Sequence, residues 1–238
     1  MPAELAYKDL IPLVNPDARV VAKELEIYST PEPPSNYSLE LEVAGILRVA
    51  NEAGFERFHL VGYSAGGASC LAFTAAHPDR LLSLALSEPA WDGVLDGSDE
   101  EIVLWNEFQR IGDLPPERRM PAFVRAQLRT DIDMPPPPPG PPPPWMATRP
   151  AGLATLIQTF LDTRLDPARL RSFDRPVYFA LGGLSNPDYY ARMSKRLAEV
   201  FHDFTVELYP ERHHFDPPHR AEPARFAKAL TSFWSRTE

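Results

Sequence analysis

Residues 62–67 read Gly-Tyr-Ser-Ala-Gly-Gly, directly after the apolar run Phe58–Gly62 and directly before the small-residue stretch Ala65–Ala76. An apolar strand, a G-x-S-x-G turn and a helix-compatible run, in that order, constrain the fold more than any other feature of the chain. A serine in so tight a turn needs a strained backbone that lifts its Oγ clear of a sheet. Glycines at 62 and 66 are expected to omit Cβ atoms that would clash there, while Gly67 and Ala68 let the helix pack close to the strands. The helix N-terminus would then set the Ala65 N–H and the positive end of the helix dipole beside a developing oxyanion. A plainer reading, a glycine-rich turn whose serine only caps a helix, leaves the preceding strand unexplained.

The segments around this turn alternate between strand and helix patterns. Arg19–Leu25 (RVVAKEL), Phe58–Gly62, Leu81–Ser87 (LLSLALS), Val177–Leu181 (VYFAL) and Phe204–Tyr209 (FTVELY) read as strands. LLSLALS is continuously apolar, as a strand buried on both faces must be. Leu39–Ala53 carries Leu39, Val43, Ile46, Leu47 and Ala50 at helical spacing, with Ser38 at the N-cap position and Gly54 as the stop. Further helices are expected over Leu5–Val14, from Asn186-Pro187 to about Val200, and over Glu222–Ser235. Such alternation implies right-handed crossovers and a mainly parallel α/β sheet.

The pattern breaks between Trp91 and Phe173, which offers three helical pieces, no convincing strand, and a run in which nine of the ten residues Pro135–Pro144 are proline. Proline lacks an N–H donor and fixes φ, so this run reads as polyproline II, a stiff spacer rather than an SH3 or WW docking site. The expected organisation is therefore a core of residues 1–90 and 174–238 with a helical cap of residues 91–173.

These segments resemble the α/β-hydrolase superfamily over nearly the whole chain. RVVAKELEIY looks like the strand before the family's variable loop, and FHLVGYSAGG like its nucleophile strand and turn. HPDRLLSLALSEPAW looks like the following strand, residues 91–173 like the cap, and ERHHFDPPH like the catalytic-histidine loop. The resemblance implies a serine hydrolase with Ser64 as nucleophile and Ala65 as oxyanion donor. Its base would be His214, which precedes Phe215 as the family's histidine commonly precedes an apolar residue, with adjacent His213 as the alternative. His59 lies within an apolar strand and reads as structural.

Two departures from the family pattern matter. The usual acid position, after VYFAL, holds Ser185, which cannot supply the charge that orients histidine. Glu88, at the end of LLSLALS and on the strand expected beside the nucleophile strand, is the leading acid; Asp188 and Asp92 are the alternatives. In addition, only about eighteen residues precede RVVAKEL, and His-Gly, the usual oxyanion-loop pair, occurs nowhere. A shortened N-terminal half is expected, with one oxyanion donor to be found elsewhere. Open strand edges there could be covered by homodimerisation.

Composition narrows the rest. A net charge of −9 disfavours nucleic acid and anionic membrane as partners. A single cysteine, Cys70, allows no intrachain disulfide, and the opening residues lack the pattern of a secretory leader, so a reducing cytoplasm is the expected setting. The histidine pair lacks the further ligands of a zinc site, and no metal or organic cofactor is implied. The expected activity is hydrolysis of a carboxylic ester or related small acyl compound. Trp91, Trp105, Phe108, Phe123, Trp145 and Phe160 suggest a partly apolar substrate, or else simply the core of the cap. Lactone or C–C bond hydrolysis are neighbouring chemistries; haloalkane dehalogenation is disfavoured, since it needs a carboxylate where Ser64 stands. The rival from another class is a catalytically impaired hydrolase-like protein that binds a small ligand or partner.

Overall fold

The computed structural model describes residues 1–14, 18–93, 99–136 and 139–236. Four strands, β1 (Phe58–Ser64), β2 (Leu81–Pro89), β3 (Val177–Gly182) and β4 (Phe204–Tyr209), form one sheet in the order β1-β2-β3-β4. Every neighbouring pair is parallel. Parallel strands require crossovers, and the helices supply them. The β1–β2 connection is α3 (Ala65–Ala76), and the β3–β4 connection is α8 (Arg192–Val200).

Alternation along the strands divides the core into two layers. Leu84, Leu86, Val177 and Phe179 pack with Phe73, Leu71 and Leu197 on one face. Ala85, Tyr178 and Ala180 pack on the other face with Leu10, Phe226, Leu230 and Phe233. The second face is covered by α10 (Pro223–Trp234), together with the N-terminal α1 (Ala3–Tyr7) and the short helical turn Ile11–Leu13. Only Leu82 of β2 is not fully buried, in keeping with its apolar run. Each Leu or Phe so buried contributes about 1.5–3 kcal/mol relative to exposure.

Helix α2 (Leu39–Glu52) buries Leu39, Ile46 and Ala50 and ends where Gly54 adopts φ +72°. That left-handed residue lets Phe55 N–H donate back to Ala50 O at 2.8 Å. Ser38 stands at the N-cap, but its side chain makes no capping bond. The polar feature of α2 is Glu42, fully buried among apolar neighbours. Its carboxylate accepts from the Glu26 and Ile27 N–H groups at 3.0 and 3.1 Å and from Tyr37 OH at 3.0 Å.

The segment held by Glu42 is where a sequence expectation fails. Arg19–Leu25 is not a strand, and no described residue before Phe58 is in the sheet. Val20 and Val21 are exposed, so the segment has no apolar face to bury against a neighbour. Carboxylates hold it instead of a ladder: Glu24 accepts from Ala3 N–H at 2.9 Å, and Glu42 fixes the turn that follows. The helix expected over Leu5–Val14 is also cut short, because Pro12 has no N–H to continue an α-helical ladder.

Between β2 and β3 lies an insertion of helices: α4 (Asp99–Asp113), α5 (Pro116–Ala126), α6 (Arg149–Asp162) and α7 (Pro167–Arg171). It contains no strand among the described residues, only an isolated antiparallel bridge from Leu128 to Ser185. In the proline run, Pro137 and Pro138 lie outside the described residues; Pro143 has the polyproline II angles φ −65° and ψ 154°. Gly140, at φ +87°, bends the run. After β3 the chain enters a π-type turn over Pro187–Ala191 before α8, and this puts adjacent Tyr189 and Tyr190 both inside. The last short helix, α9 (Pro218–Ala221), precedes α10.

Candidate active site

Ser64 ends β1 and caps α3 with φ 53° and ψ −125°, a conformation non-glycine residues rarely adopt. The turn is built by what its neighbours lack. A Cβ at Gly62 would lie 2.5 Å from Cys70 Sγ and 2.6 Å from Gly66 O, and one at Gly67 would lie 3.0 Å from Pro89 Cα. Gly66 differs from expectation: a Cβ there would meet nothing within 4 Å. Ala90 N–H donates to Ser64 O at 2.9 Å and ties the tips of β1 and β2 together.

Glu88 owes its position to an irregularity in the same two strands. Tyr63 pairs with Ser87 and Ser64 with Pro89, so Glu88 is an extra residue on β2. It carries φ +42°. Such a bulge re-aims a side chain, and Glu88 Oε1 accepts from Gly182 N–H at the end of β3, at 2.8 Å. Gly182 has to be glycine, since a Cβ there would fall 3.0 Å from Glu88 Oε1 and 2.7 Å from Arg212 O. Ser185 is buried in the same corner. A carboxylate from the adjacent strand thus lies in the corner where Ser185 stands.

His214 follows β4 and is buried. Its Nε2 lies 3.1 Å from Ser64 Oγ. Its Nδ1 lies 3.3 Å from Glu88 Oε2, an ion-pair distance at which hydrogen-bond angles are not met. The ring is clamped. Tyr190 stacks on it at 4.8 Å and 13°, and Phe215 meets it edge-on at 5.2 Å. Tyr63 OH donates to His214 O. Tyr190 OH in turn donates to buried Gln127 Oε1 at 2.6 Å, linking the clamp to the helical insertion. Sequence reading missed Tyr63, Tyr190 and Gln127. The one available signal was the Tyr189-Tyr190 pair, two large neighbours that an α-helix would point in different directions.

The alternatives lie elsewhere. Asp188 is exposed at the start of the π-type turn, where its N–H donates to Asn186 Oδ1 at 3.0 Å. Asp92 is buried but paired with Arg196, at 2.7 and 2.8 Å. His213 Nδ1 accepts from Phe215 N–H at 3.1 Å, and burial lowers the pKa of its ring. His59 is structural, bonded to Ser83 Oγ at 2.8 Å and stacked on Trp234. His219 is packed against Tyr7 and Tyr63; burial first, then Arg220 and His214, push its pKa down to about 3. Burial raises the Cys70 thiol to about 12.

Ser64 and Ala65 open onto a cavity of about 760 Å³, mostly apolar in its lining. Trp105, Phe108, Phe123, Trp145 and Phe160 of the insertion line it; Trp91 does not, being fully buried and stacked on Phe160 at 5.5 Å. No described helix is long and apolar enough to cross a membrane.

The fold that brings this serine and histidine together is shared with known proteins. The chain is similar in structure to a thermophilic esterase from Thermogutta terrifontis, with a TM-score of 0.66 at 16% identity, over 99% of this chain and 86% of that one. It is similar to a meta-cleavage product hydrolase from Pseudomonas fluorescens, with a TM-score of 0.64 at 16% identity, over 99% and 86% of the two chains. A carboxylesterase from Bacillus subtilis gives 0.63 at 15% identity, over 98% and 79%. In sequence, 81 residues are 35% identical to a fluoroacetate dehalogenase from Burkholderia sp., a match covering 32% of this chain and only 27% of that protein. The family model described as "Alpha/beta hydrolase family" matches residues 3–229. With nearly its whole length matched, this chain belongs to the alpha/beta hydrolase family.

Proposed function

We propose that the chain is a serine hydrolase acting on a carboxylic ester or related small acyl compound. In this reading Ser64 attacks the acyl carbon, His214 takes the serine proton and returns it to the leaving alcohol, and Glu88 orients the imidazole and stabilises its charged form. The Ala65 N–H, at the first turn of α3, binds the oxyanion. Residues 91–173 act as a cap that closes an apolar chamber over Ser64. The observation that carries the reading is the 3.1 Å contact from Ser64 Oγ to His214 Nε2, with Glu88 Oε2 3.3 Å behind Nδ1. Free serine hydroxyls are poor nucleophiles, and an adjacent base is what activates them. The esterases among the structural neighbours agree with it. A serine, not a carboxylate, stands on the turn, which argues against the chemistry named for the dehalogenase relative.

A second reading, an impaired hydrolase that binds a ligand, draws on the missing His-Gly pair. Loss of one oxyanion donor costs roughly 10²- to 10³-fold in rate. Labelling is therefore a better test than turnover. A fluorophosphonate probe should modify Ser64 and no other serine, as read by mass spectrometry. Ser64→Ala and His214→Ala should abolish labelling, His213→Ala should keep most of it, and Glu88→Gln should slow it by roughly 10³-fold while Asp188→Asn changes it little. Probe found elsewhere, or unchanged on Ser64→Ala, sinks the catalytic reading. A crippling Asp188→Asn beside a harmless Glu88→Gln would move the acid.

A further inference from the structure

The cavity that Ser64 opens onto is mostly apolar, yet one cation on its wall keeps a buried donor without an acceptor among the described residues. Arg149 opens α6 with its side chain only 14% exposed. Its Nε is buried and has no hydrogen-bond partner among the described residues. Glu24 Oε1 approaches its Nη2 no closer than 4.0 Å, and the Glu24 carboxylate already accepts from Ala3 N–H at 2.9 Å and Leu25 N–H at 3.2 Å.

Other cations on the same wall are engaged. Lys23 pairs with Glu26 at 3.0 Å and Glu42 at 3.4 Å. Arg19 donates to Ala53 O, and Arg220 donates to Phe215 O at 3.0 Å. Arg149 is instead held by rings: its Cζ sits 3.6 Å from the Tyr28 ring centroid and 5.4 Å from that of Trp145. Stacking occupies the faces of a guanidinium. Its N–H donors all lie in the plane, so a group so stacked presents a fixed edge of donors to whatever lies beside it. Leaving a buried guanidinium donor unpaired is costly, and a planar anion accepting two parallel bonds is the partner that best relieves the cost.

We propose that Arg149 is the binding site for a carboxylate on the substrate, so that the chain acts on an acyl compound with an apolar body and an anionic end. This rests on the hydrolase reading for the word substrate, but the anion site itself does not need catalysis. The apolar lining takes the body of the molecule, the Tyr28 and Trp145 rings hold the guanidinium, and the carboxylate supplies the acceptors that Glu24, 4.0 Å away, does not bring within hydrogen-bond distance.

The test compares mono-4-nitrophenyl adipate with 4-nitrophenyl hexanoate, which replaces the far carboxylate by a methyl group. For the wild-type chain the ratio of kcat/KM, adipate over hexanoate, should exceed 10. It should fall to about 1 in Arg149→Leu and stay between these in Arg149→Lys, which keeps the charge but not the fork. A wild-type ratio at or below 1, or one unmoved by Arg149→Leu, overturns the proposal. In parallel, Ser64→Ala is titrated calorimetrically with monomethyl and dimethyl adipate. Tighter binding of the monoanion, lost when Arg149→Leu is added, supports the site even if neither ester is turned over, in which case it is the hydrolase reading that falls. Equal binding of the two overturns the anion site even if both esters are cleaved. If Arg149→Leu does not fold, the wild-type ratio and Arg149→Lys decide.

Discussion

Ser64 and Glu88 have positive φ at 53° and 42°, and they sit at neighbouring strand ends facing the same histidine. Non-glycine residues in that region hold about 1–3 kcal/mol of strain each, which the surrounding packing must offset. Both strained residues aim a polar side chain at His214, and this is where a local rule is expected to yield to function. His219, packed against Tyr7 and Tyr63, shows a different residue-scale effect. Neither of its ring nitrogens has a hydrogen-bond partner among the described residues, and the fold holds it neutral down to about pH 3. An exposed imidazole takes up its proton near pH 6.5. Between those values the unfolded chain binds the extra proton, so stability is full above about pH 6.5 and falls as pH drops towards 3. His59, lowered to about 4 by burial, acts in the same direction. Melting temperatures measured from pH 8 to pH 4 should therefore fall with acid, and His219→Phe should flatten the slope. Parallel profiles for the two proteins would assign the acid sensitivity elsewhere.

At the scale of elements, the turn between β1 and α3 separates two glycines that look alike in sequence. Gly62 faces Cys70 Sγ and Gly66 O so closely that an added methyl forces the strand off the helix, whereas Gly66 has open space. Gly62→Ala should destabilise the chain by about 1–3 kcal/mol, the range for overpacking, and should lose reactivity at Ser64. Gly66→Ala should do neither, as read by urea denaturation and probe labelling. Equal tolerance at both positions would mean the turn does not depend on that close approach. The β2 bulge is the other deciding element. Leu81–Ser87 was legible as a buried strand from its apolar run, but the extra residue that turns Glu88 towards Gly182 depends on the register with β1, which no single segment encodes.

Over the whole molecule, the insertion is bound to the sheet rather than appended to it. β2 precedes the insertion and β3 follows it, and the two pair directly. Trp91, before α4, stacks on Phe160 of α6, while Asn186 after β3 donates to Ala126 O at the end of α5. A broad-specificity protease should therefore cut near the exposed proline run and leave both fragments associated under native conditions. Residues 1–134 expressed alone should not melt cooperatively, because β2 would lose its β3 partner and the apolar face between them would meet water. Separate, cooperative melting of residues 1–134 would make the run a domain boundary.

The sequence by itself determined what depends on neighbours along the chain. Strand and helix periodicities located all four strands of the sheet, α2, α3 and the insertion helices α4, α5 and α6 but not the short α7, and the glycine-flanked serine located the turn, because those signals repeat every two or 3.6 residues or lie within a six-residue window. It also narrowed the charged partners of His214 to three, since few acids follow the strands. The tertiary structure decided what depends on residues far apart. Arg19–Leu25 carries a strand-like composition yet stays outside the sheet, because Glu42, on a different helix, satisfies the backbone that follows it. Glu88 meets His214 across 126 positions of chain, and Tyr190 reaches the same ring through a π-type turn. Arg149 Nε is left without an acceptor because Glu24, brought beside it by folding, stops 4.0 Å from Nη2 and accepts from backbone donors instead. Hydrogen bonds and ion pairs act over a few ångströms of space, and only the folded chain sets which groups share that space.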